Sequence, residues 1–488
     1  MLRTGVKGGK PRRGAGSLCL AGMGALLFGA CGQDSSTAPT PASSATPAPA
    51  LGPRPNLVLV LADDLDLETS QLLPRLPIVM GQAGLTFSRA YVTTALCAPS
   101  RASILTGQYA HNHGLVYNEP PDGGFPQFRG KDVSTIATWL KAGGYRTALF
   151  GKYLNGYPRG APDTYVPPGW DEWFGHLSDL EAGRYYSYWM NDNGGVFRYG
   201  ERPDEYSVDV IARRAVEFVQ KSAARSEPFF LYLSPEAPHA PAIPAERHAG
   251  EFPREACARN PSFNEDDVRD KPAWVQNMPR LTDADIRQAD LFQRGRLRSM
   301  RAVEDLIEQV LAALAASGKL ENTYVFFTSD NGVLMGEHRG VGRKNNHYEE
   351  SIHVPFMVRG PGVPAGRTLS QPVLNIDLAP TFAELARVPI PDSVDGRSLL
   401  PLLRGDAPGL ERWRSDFLVE HFSSGVTSAV RTPDVLYAEL ESNETELYDM
   451  AKDPYQLESQ HRKAERTMLE PFSRRIAALA ACRGASCR

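Results

Sequence analysis

Four continuous apolar runs, each followed by polar residues, constrain the fold of this 488-residue chain more than any other feature. The first run, residues 56–61, is aliphatic after its first residue and shows no alternation of polar and apolar side chains. Strands covered on both faces have this pattern, whereas half-exposed strands alternate. The other runs are residues 147–150, 229–233 and 324–328. Each run is therefore predicted to be a buried strand.

Segments with a helical pattern separate these runs. They are residues 134–142, 208–222 and 296–316. Strands that alternate with helices indicate an α/β fold with a large mixed, mostly parallel sheet that helices cover on both faces. Ligands of such sheets bind beyond the carboxyl ends of the strands, so the polar residues after the runs are candidates for one site.

The character of the chain changes after about residue 405. Residues 417–421 and 435–440 are patterned as strands, and a polar helix follows through roughly residue 481. We therefore predict a large domain over residues 55–405 and a smaller C-terminal α+β subdomain over residues 406–488.

The N-terminus is predicted to be an export signal over residues 1–31. Basic residues precede an apolar run, residues 18–28, which is too short to span a membrane. Residues 27–31 resemble a lipobox, in which Cys31 would be lipidated; plain secretion is the alternative. Residues 32–54 are mostly Ser, Thr, Ala and Pro, so they cannot bury a core and are predicted to be a disordered tether. A lipid on Cys31 would be the only membrane attachment.

Charge and cysteine usage narrow the class of protein further. The net charge is −4, and no basic stripe indicates a nucleic-acid partner. Cys482 and Cys487 enclose a short loop that an exported protein could close with a disulfide. Cys257 is predicted to be a free or buried thiol.

Two pairs of oxygen ligands follow two of the predicted strands. Asp63 and Asp64 follow the first run, and Asp330 and Asn331 follow the fourth. Hard oxygen ligands suit Ca²⁺ or Mg²⁺ rather than zinc. One such pair alone is more often a solvated turn, but two pairs at one sheet edge indicate a metal site.

A lone cysteine, Cys97, precedes a short predicted helix. Pro99 suits the first helical position and Gly107 suits a left-handed C-terminal cap, so we predict a helix of about two turns. The positive end of the helix, with Arg101 about one turn along, would favour an anion near Cys97. A lone cysteine is otherwise more often a buried, inert thiol.

Residues 97–107 match C-x-P-S-R-x-x-x-L-T-G, and the chain thereby resembles the type I sulfatases of the alkaline phosphatase superfamily. In that family the cysteine is oxidised to formylglycine after translation. The resemblance extends over most of residues 55–454, through residues 206–209, 375–377 and 395–399. It implies a sulfatase catalytic domain over residues 55–405 and a formylglycine-generating enzyme as a partner.

The resemblance also implies the composition of the site. The metal, Ca²⁺ more than Mg²⁺, would be bound by Asp63, Asp64, Asp330, Asn331 and the group made from Cys97. The implied catalytic residues are Cys97, Arg101, Lys152, His239 and Lys344. Hydrated formylglycine would attack sulfur, and the leaving alcohol would take a proton from the side of His239 and Lys344. A lone lysine is more often a solvated surface residue and a lone histidine is more often structural, so these roles depend on the resemblance.

One motif departs from the common pattern, because Leu154 stands where many sulfatases have histidine two positions after Lys152. Residues 151–157 are instead similar to the branch of N-acetylglucosamine-6-sulfatases, and Asn155 could replace the histidine as a polar contact. Four further polar residues lie near motif positions and either contact substrate or are structural: His111, His113, Asn118 and His338.

The resemblance therefore implies an exported sulfuric ester hydrolase that acts on sulfate monoesters of a small molecule or a glycan, above all a sulfated amino sugar. Two alternatives stay open at this point. One is a phosphodiester or phosphonate hydrolase of the same superfamily. The other is a surface protein that binds sulfated glycan without turnover because Cys97 is not converted.

Overall fold

The structure is a computed structural model that describes residues 52–121, 123–178, 180, 183–405, 412–422 and 425–488. The predicted export signal, with Cys31, and nearly all of the predicted tether lie outside the described residues. In the part of the chain that is described, no helix is both long and apolar enough to cross a membrane.

The strands lie in one large sheet, a small C-terminal sheet and two short pairs. They are β1 (Asn56–Ala62), β2 (Leu85–Phe87), β3 (Ala90–Tyr91), β4 (Arg146–Gly151), β5 (Glu172–His176), β6 (Trp189–Asp192), β7 (Gly195–Arg198), β8 (Phe229–Ser234), β9 (Thr323–Ser329), β10 (Leu334–Met335), β11 (Val341–Arg343), β12 (Phe356–Arg359), β13 (Arg367–Leu369), β14 (Val373–Leu374), β15 (Phe417–Phe422), β16 (Val426–Arg431), β17 (Val435–Glu439) and β18 (Thr445–Asp449).

Helices connect and cover these strands. The α-helices are α1 (Leu67–Gln71), α2 (Cys97–Thr106), α3 (Ala110–His113), α4 (Gly124–Phe128), α5 (Ile136–Ala142), α6 (Ser207–Ala223), α7 (Ala273–Gln276), α8 (Asp283–Ala316), α9 (Glu349–Ile352), α10 (Leu378–Ala386), α11 (Leu400–Arg404) and α12 (Arg466–Ala480). A π-helix covers Pro77–Gln82, and short 3-10 helices cover Pro203–Glu205, Glu246–His248, Leu320–Asn322, Asn375–Asp377 and Gly484–Cys487.

Among the described residues, ten strands form the large sheet in the order β13-β2-β12-β9-β1-β8-β4-β5-β6-β7. The central strands β9, β1, β8, β4 and β5 run parallel, and β12 and β6 join them antiparallel at either end. Strand β7 pairs antiparallel with β6. The four predicted strands are the four neighbours β9, β1, β8 and β4, all buried apart from Arg146 at the start of β4. The predicted mixed, mostly parallel sheet is confirmed.

Helices cover both faces of this sheet, as predicted. Leu57 and Leu59 of β1 belong to one apolar cluster with residues of α2, α5 and α10, whereas Val58 and Val60 belong to another with α6 and α8. Successive side chains of a strand point to opposite faces, so a strand with no polar position must be covered twice. The predicted start of the longest helix is wrong: α8 begins at Asp283, where Thr282 and Asp285 form a capping box.

The C-terminal region forms a four-stranded antiparallel sheet among the described residues, in the order β15-β16-β17-β18, with α12 packed on it. The sequence patterns predicted β15 and β17 but not their partners β16 and β18. The predicted disulfide between Cys482 and Cys487 is present, and Cys257 is a buried free thiol.

Gly151 ends β4 with φ of 116°, and a Cβ atom there would lie 2.0 Å from the carbonyl oxygen of Ser234. That carbonyl accepts a hydrogen bond from the Lys152 backbone. We expect Gly151→Ala to lower the free energy of unfolding by about 3 kcal/mol or more, from steric overlap and backbone strain. Gly160→Ala is the control, because Gly160 also has positive φ and a Cβ atom added there would have no described atom within 4 Å. Urea denaturation should show the larger loss at Gly151; equal losses would contradict the close approach.

Candidate active site

The two predicted pairs of oxygen ligands meet at one edge of the sheet. Strands β1 and β9 are parallel and in register to their last residues, with Ala62 opposite Ser329. The next residues therefore lie side by side: the Asp64 backbone N–H donates to Asp330 Oδ1 over 3.1 Å. Asn331 Nδ2 donates to Asp64 Oδ1 over 2.6 Å. The predicted convergence is confirmed by this geometry.

Cys97 reaches the same edge from helix α2. Its Sγ lies 3.6 Å from Asp63 Oδ1 and 3.7 Å from Asp64 Oδ1, and the residue is fully buried. Gly107 caps the helix in the left-handed conformation, as predicted. The predicted first residue is wrong, because the helix begins at Cys97 rather than at Pro99. Proline is tolerated within the first turn, where backbone N–H groups have no helical partner.

Three cationic side chains and one histidine surround these groups. Lys152 follows β4, and its Nζ lies 2.6 Å from Asp63 Oδ2. Arg101 Nε donates to Asp330 Oδ2 over 2.7 Å.

Lys344 Nζ lies 2.7 Å from Cys97 Sγ and 2.5 Å from Asp64 Oδ1. His239 Nε2 lies 3.6 Å from Asp64 Oδ2. The structure thus brings together all the predicted site residues, from elements separated by more than two hundred positions in the sequence.

Opposite charges keep the buried carboxylate of Asp63 ionised. Burial by itself raises the pKa of Asp63, but the positive charges of Lys152, His239, Arg101 and Lys344 outweigh it and hold that pKa well below its usual range. Burial also raises the pKa of the Cys97 thiol, to about 12, despite the two lysines. The unmodified Cys97 side chain is therefore a neutral thiol near pH 7 and a weak nucleophile.

The residues around Cys97 fit a hard cation. Ligand atoms of Asp63, Asp64, Cys97 and His239 all lie within 4.8 Å of one another. Asn331 Oδ1 is buried and has no hydrogen-bond partner among the described residues, as expected for an oxygen available to a metal. His239 lies in the same cluster; the sequence pattern placed it among the catalytic residues and not among the ligands.

The four polar residues near motif positions have different surroundings. Asn118 Oδ1 accepts a hydrogen bond of 2.8 Å from the Ala98 backbone, directly beside Cys97. The three histidines contact protein groups instead: His111 contacts Glu420, His113 contacts Ser103, and His338 contacts Glu265. These contacts favour structural roles for the histidines.

Asn155 lies in the segment after β4. Its backbone carbonyl accepts from Phe125 N–H over 2.7 Å, and its Oδ1 is buried with no hydrogen-bond partner in the described part of the chain. Its replacement of the missing histidine stays a prediction.

Sequence reasoning assigned no role to Glu236, which lies two residues beyond β8. Glu236 is buried, with Oε1 2.6 Å from His176 Nδ1, and it also pairs with Arg184. Burial raises its pKa, but His176 and Arg184 outweigh burial and hold the pKa well below the usual range. The only sequence signal was its place in the polar group after a predicted strand; nothing in the sequence pointed to its partners.

Known families match most of the chain. The profile of the family described as Sulfatase matches residues 55–388, and that of N-sulphoglucosamine sulphohydrolase, C-terminal, matches residues 336–480. The chain thus combines an α/β sheet with a buried cysteine that lies among carboxylates and cations at the edge of that sheet. The chain belongs to the sulfatase family.

Curated relatives include the N-acetylglucosamine-6-sulfatases of Capra hircus and Homo sapiens. They are 36% and 35% identical over 483 residues, which is 89% of this chain and 85% and 86% of theirs. An extracellular sulfatase homolog of Drosophila melanogaster is 36% identical over 76% of this chain. The chain spans 33% of that protein and 52% of a Caenorhabditis elegans relative of the same group.

Solved structures share the fold. One, determined in complex with its substrate D-glucosamine-2-N,6-O-disulfate, superposes with a TM-score of 0.72 at 23% identity, covering 88% of this chain and 97% of that one. A phosphonate monoester hydrolase from Silicibacter pomeroyi superposes with a TM-score of 0.67 at 22% identity, covering 86% and 93%. At these identities the likeness shows the fold alone.

The contact between Lys152 and Asp63 should matter for stability. Lys152→Met leaves a buried carboxylate without its closest cation, and we expect the free energy of unfolding to fall by about 3 kcal/mol. Lys141→Met is the matched control, because Lys141 pairs with Asp171 at the surface and should cost less than about 1 kcal/mol. Urea denaturation of both variants tests this; losses of equal size would show that Asp63 does not need Lys152.

Proposed function

We propose that the protein is an exported sulfatase that hydrolyses sulfate monoesters of sulfated amino sugars, with formylglycine made from Cys97 and a bound Ca²⁺. The observation that carries the proposal is the position of Cys97 Sγ, between two aspartates and 2.7 Å from Lys344 Nζ. The relatives that align over 89% of this chain are named N-acetylglucosamine-6-sulfatase, which supports the sugar substrate.

The charges of the site suit a sulfate ester, whose oxygens repel a nucleophile unless cations lie beside them. Arg101 and Lys152 are almost fully buried and are bonded to carboxylates, so they position Asp330 and Asp63. Lys344 and His239 keep 14% and 19% of their side chains exposed, so they face the side from which a substrate arrives.

His239 is suited to give a proton to the leaving alcohol. Its Nδ1 lies 2.8 Å from the Ala240 carbonyl, which only accepts hydrogen bonds, so Nδ1 carries a proton. Nε2, on the side of Asp64, is then the ring atom that gains and loses the transferable proton. Lys344 lies beside it on the same carboxylate and holds positive charge against the ester oxygens.

Two groups would complete the site. Formylglycine at position 97 supplies a nucleophile that no unmodified side chain provides. Ca²⁺ would be held by the oxygens of Asp63, Asp64, Asp330 and Asn331, and it would add positive charge beside position 97. Because Cys97 is fully buried, a formylglycine-generating enzyme would have to act before the chain folds.

Two observations support export. The Drosophila relative is named an extracellular sulfatase homolog, and the disulfide between Cys482 and Cys487 suits an oxidising compartment. Lipid attachment at Cys31 is part of the proposal and depends on the lipobox pattern alone.

The activity is tested by producing the protein together with a formylglycine-generating enzyme. We expect release of sulfate from N-acetylglucosamine 6-sulfate. In Cys97→Ala, which lacks the nucleophile, we expect the rate of this release to fall about a thousandfold or more. Cys257→Ala, at a buried thiol outside the site, should retain activity. The mass of the tryptic peptide of residues 90–101 reports the aldehyde or the thiol directly.

Three outcomes would contradict the proposal. Preference for bis(4-nitrophenyl) phosphate over every sulfate ester would indicate the phosphodiesterase alternative. Preference for a phosphonate monoester over every sulfate ester would indicate the phosphonate hydrolase alternative. Only thiol in the peptide from the native host, with glycan bound and not cleaved, would indicate the binding protein.

The metal assignment predicts a thermal effect. Ca²⁺ should raise the melting temperature of the wild-type protein, because an ion that binds the folded state stabilises it by mass action. In Asp63→Ala this shift in melting temperature should be absent, and the turnover rate should fall at least about a hundredfold while the apolar core stays intact. Asp267→Ala, at an exposed carboxylate paired with Arg269, should behave as the wild type. A calcium shift that survives Asp63→Ala would place the ion elsewhere.

A further inference from the structure

His111, on the short helix α3, contacts two other elements of the fold through its two ring nitrogens. Nδ1 lies 2.9 Å from Glu420 Oε2 of β15, and Nε2 lies 3.1 Å from the backbone carbonyl oxygen of Cys482. A carboxylate and a carbonyl only accept hydrogen bonds, so both contacts are hydrogen bonds only when both ring nitrogens carry a proton. The surroundings of His111 therefore select the charged, doubly protonated ring.

His113, two residues along the same helix, has the opposite arrangement. Its Nδ1 lies 3.1 Å from the Leu115 backbone nitrogen, which is a donor, so Nδ1 accepts. Its Nε2 lies 3.0 Å from Ser103 Oγ, a hydroxyl that can accept from it. Burial, together with the positive charges of Lys131 and His111, lowers the pKa of His113 to about 3. One short helix thus holds a histidine suited to carry charge and another that stays neutral.

The groups that face His111 from the neighbouring elements are mainly acceptors and carboxylates. Glu420 comes from β15, Asp395 from the segment after α10, and the Cys482 carbonyl from the C-terminal segment. Together they outweigh burial and raise the pKa of His111. On its own element, the ring of Tyr109 stacks on His111 with 5.5 Å between centroids, and burial raises the pKa of the Tyr109 hydroxyl, so this ring adds no charge near pH 7.

The Cys482 carbonyl belongs to the loop that the C-terminal disulfide closes. Polar contacts hold this loop to the large domain. Gly484 N–H donates to Asp395 Oδ1 over 2.6 Å. The side chain of Asn112 donates from Nδ2 to Asp395 Oδ2 over 2.9 Å and to the Cys482 carbonyl over 3.0 Å. The contact of His111 with the same carbonyl makes one of these attachments conditional on a proton.

We propose that His111 is a pH-dependent clasp, which holds the C-terminal disulfide loop to the large domain when its ring is protonated and weakens that attachment when the ring loses a proton. A neutral ring keeps one donor, so one of its two acceptors then faces a lone pair. The raised pKa gives the direction of the effect. The stabilisation is fully present below the unfolded pKa of about 6.5, and it is lost as the pH rises through the folded pKa.

Hydrogen exchange of the full chain, followed by mass spectrometry of a peptide that contains residues 482–488, tests the clasp. Protection is compared at about pH 5.5 and about pH 9, on either side of the histidine range, after correction for the intrinsic pH dependence of amide exchange. In the wild type we expect protection of this peptide to fall about tenfold between the two pH values, the usual effect of one lost hydrogen bond.

In His111→Gln, which has no proton to lose, the protection should change by less than about twofold between the same pH values. His461→Gln is the matched control, because His461 lies in the same subdomain and bonds to Ser459. This control should show the pH dependence of the wild type. Protection that does not fall in the wild type, or that falls equally in His111→Gln, would overturn the clasp.

Glu420→Gln gives an independent measurement, and it decides the question if His111→Gln does not fold, as judged by circular dichroism. The amide oxygen of this variant can still accept from the ring, but the negative charge is gone. The pH at which protection is lost should therefore be lower than in the wild type. An unchanged midpoint would overturn the proposal, because a contact that is merely structural does not shift a titration.

Discussion

The parallel pairing of β1 with β9 is the contact on which the candidate site depends. The two strands are in register from Asn56 opposite Thr323 to Ala62 opposite Ser329, so their polar ends lie at one level. This places Asp63 and Asp64 beside Asp330 and Asn331. A shift of a single residue would turn every side chain of β1 to the opposite face of the sheet, so the apolar packing that sets the register also sets the geometry of the carboxylates.

Carboxylates at this edge are buried, and a buried charge is tolerated only when it is paired and hydrogen-bonded. The pairing comes from elsewhere in the chain: Arg101 from α2, Lys152 from the end of β4 and Lys344 from the segment after β11. The three cations balance the three aspartates described at the site. Lys344 and His239 contact these carboxylates and keep part of their side chains exposed, so groups that neutralise the carboxylates are also the ones proposed to meet the ester.

The fold by itself does not select the ester. A phosphonate monoester hydrolase and a structure bound to a sulfated glucosamine superpose on the chain with similar TM-scores. Membership of the sulfatase family, and the carboxylates and cations around Cys97, favour a sulfate ester as the substrate.

The sequence by itself determined the buried strands β1, β4, β8 and β9, the cap at Gly107 and the residues around Cys97. Apolar runs and motif residues are local, so they can be read without the tertiary structure. The sequence pattern misplaced the start of α8, whose first turns are polar, and it did not indicate β16 or β18. Only the tertiary structure decided the contacts of Glu236 with His176 and of His421 with His347 and Glu446. Those partners lie far apart in the chain, up to 99 positions for His347 and Glu446, and no local pattern specifies them, because side-chain pairing across elements depends on packing.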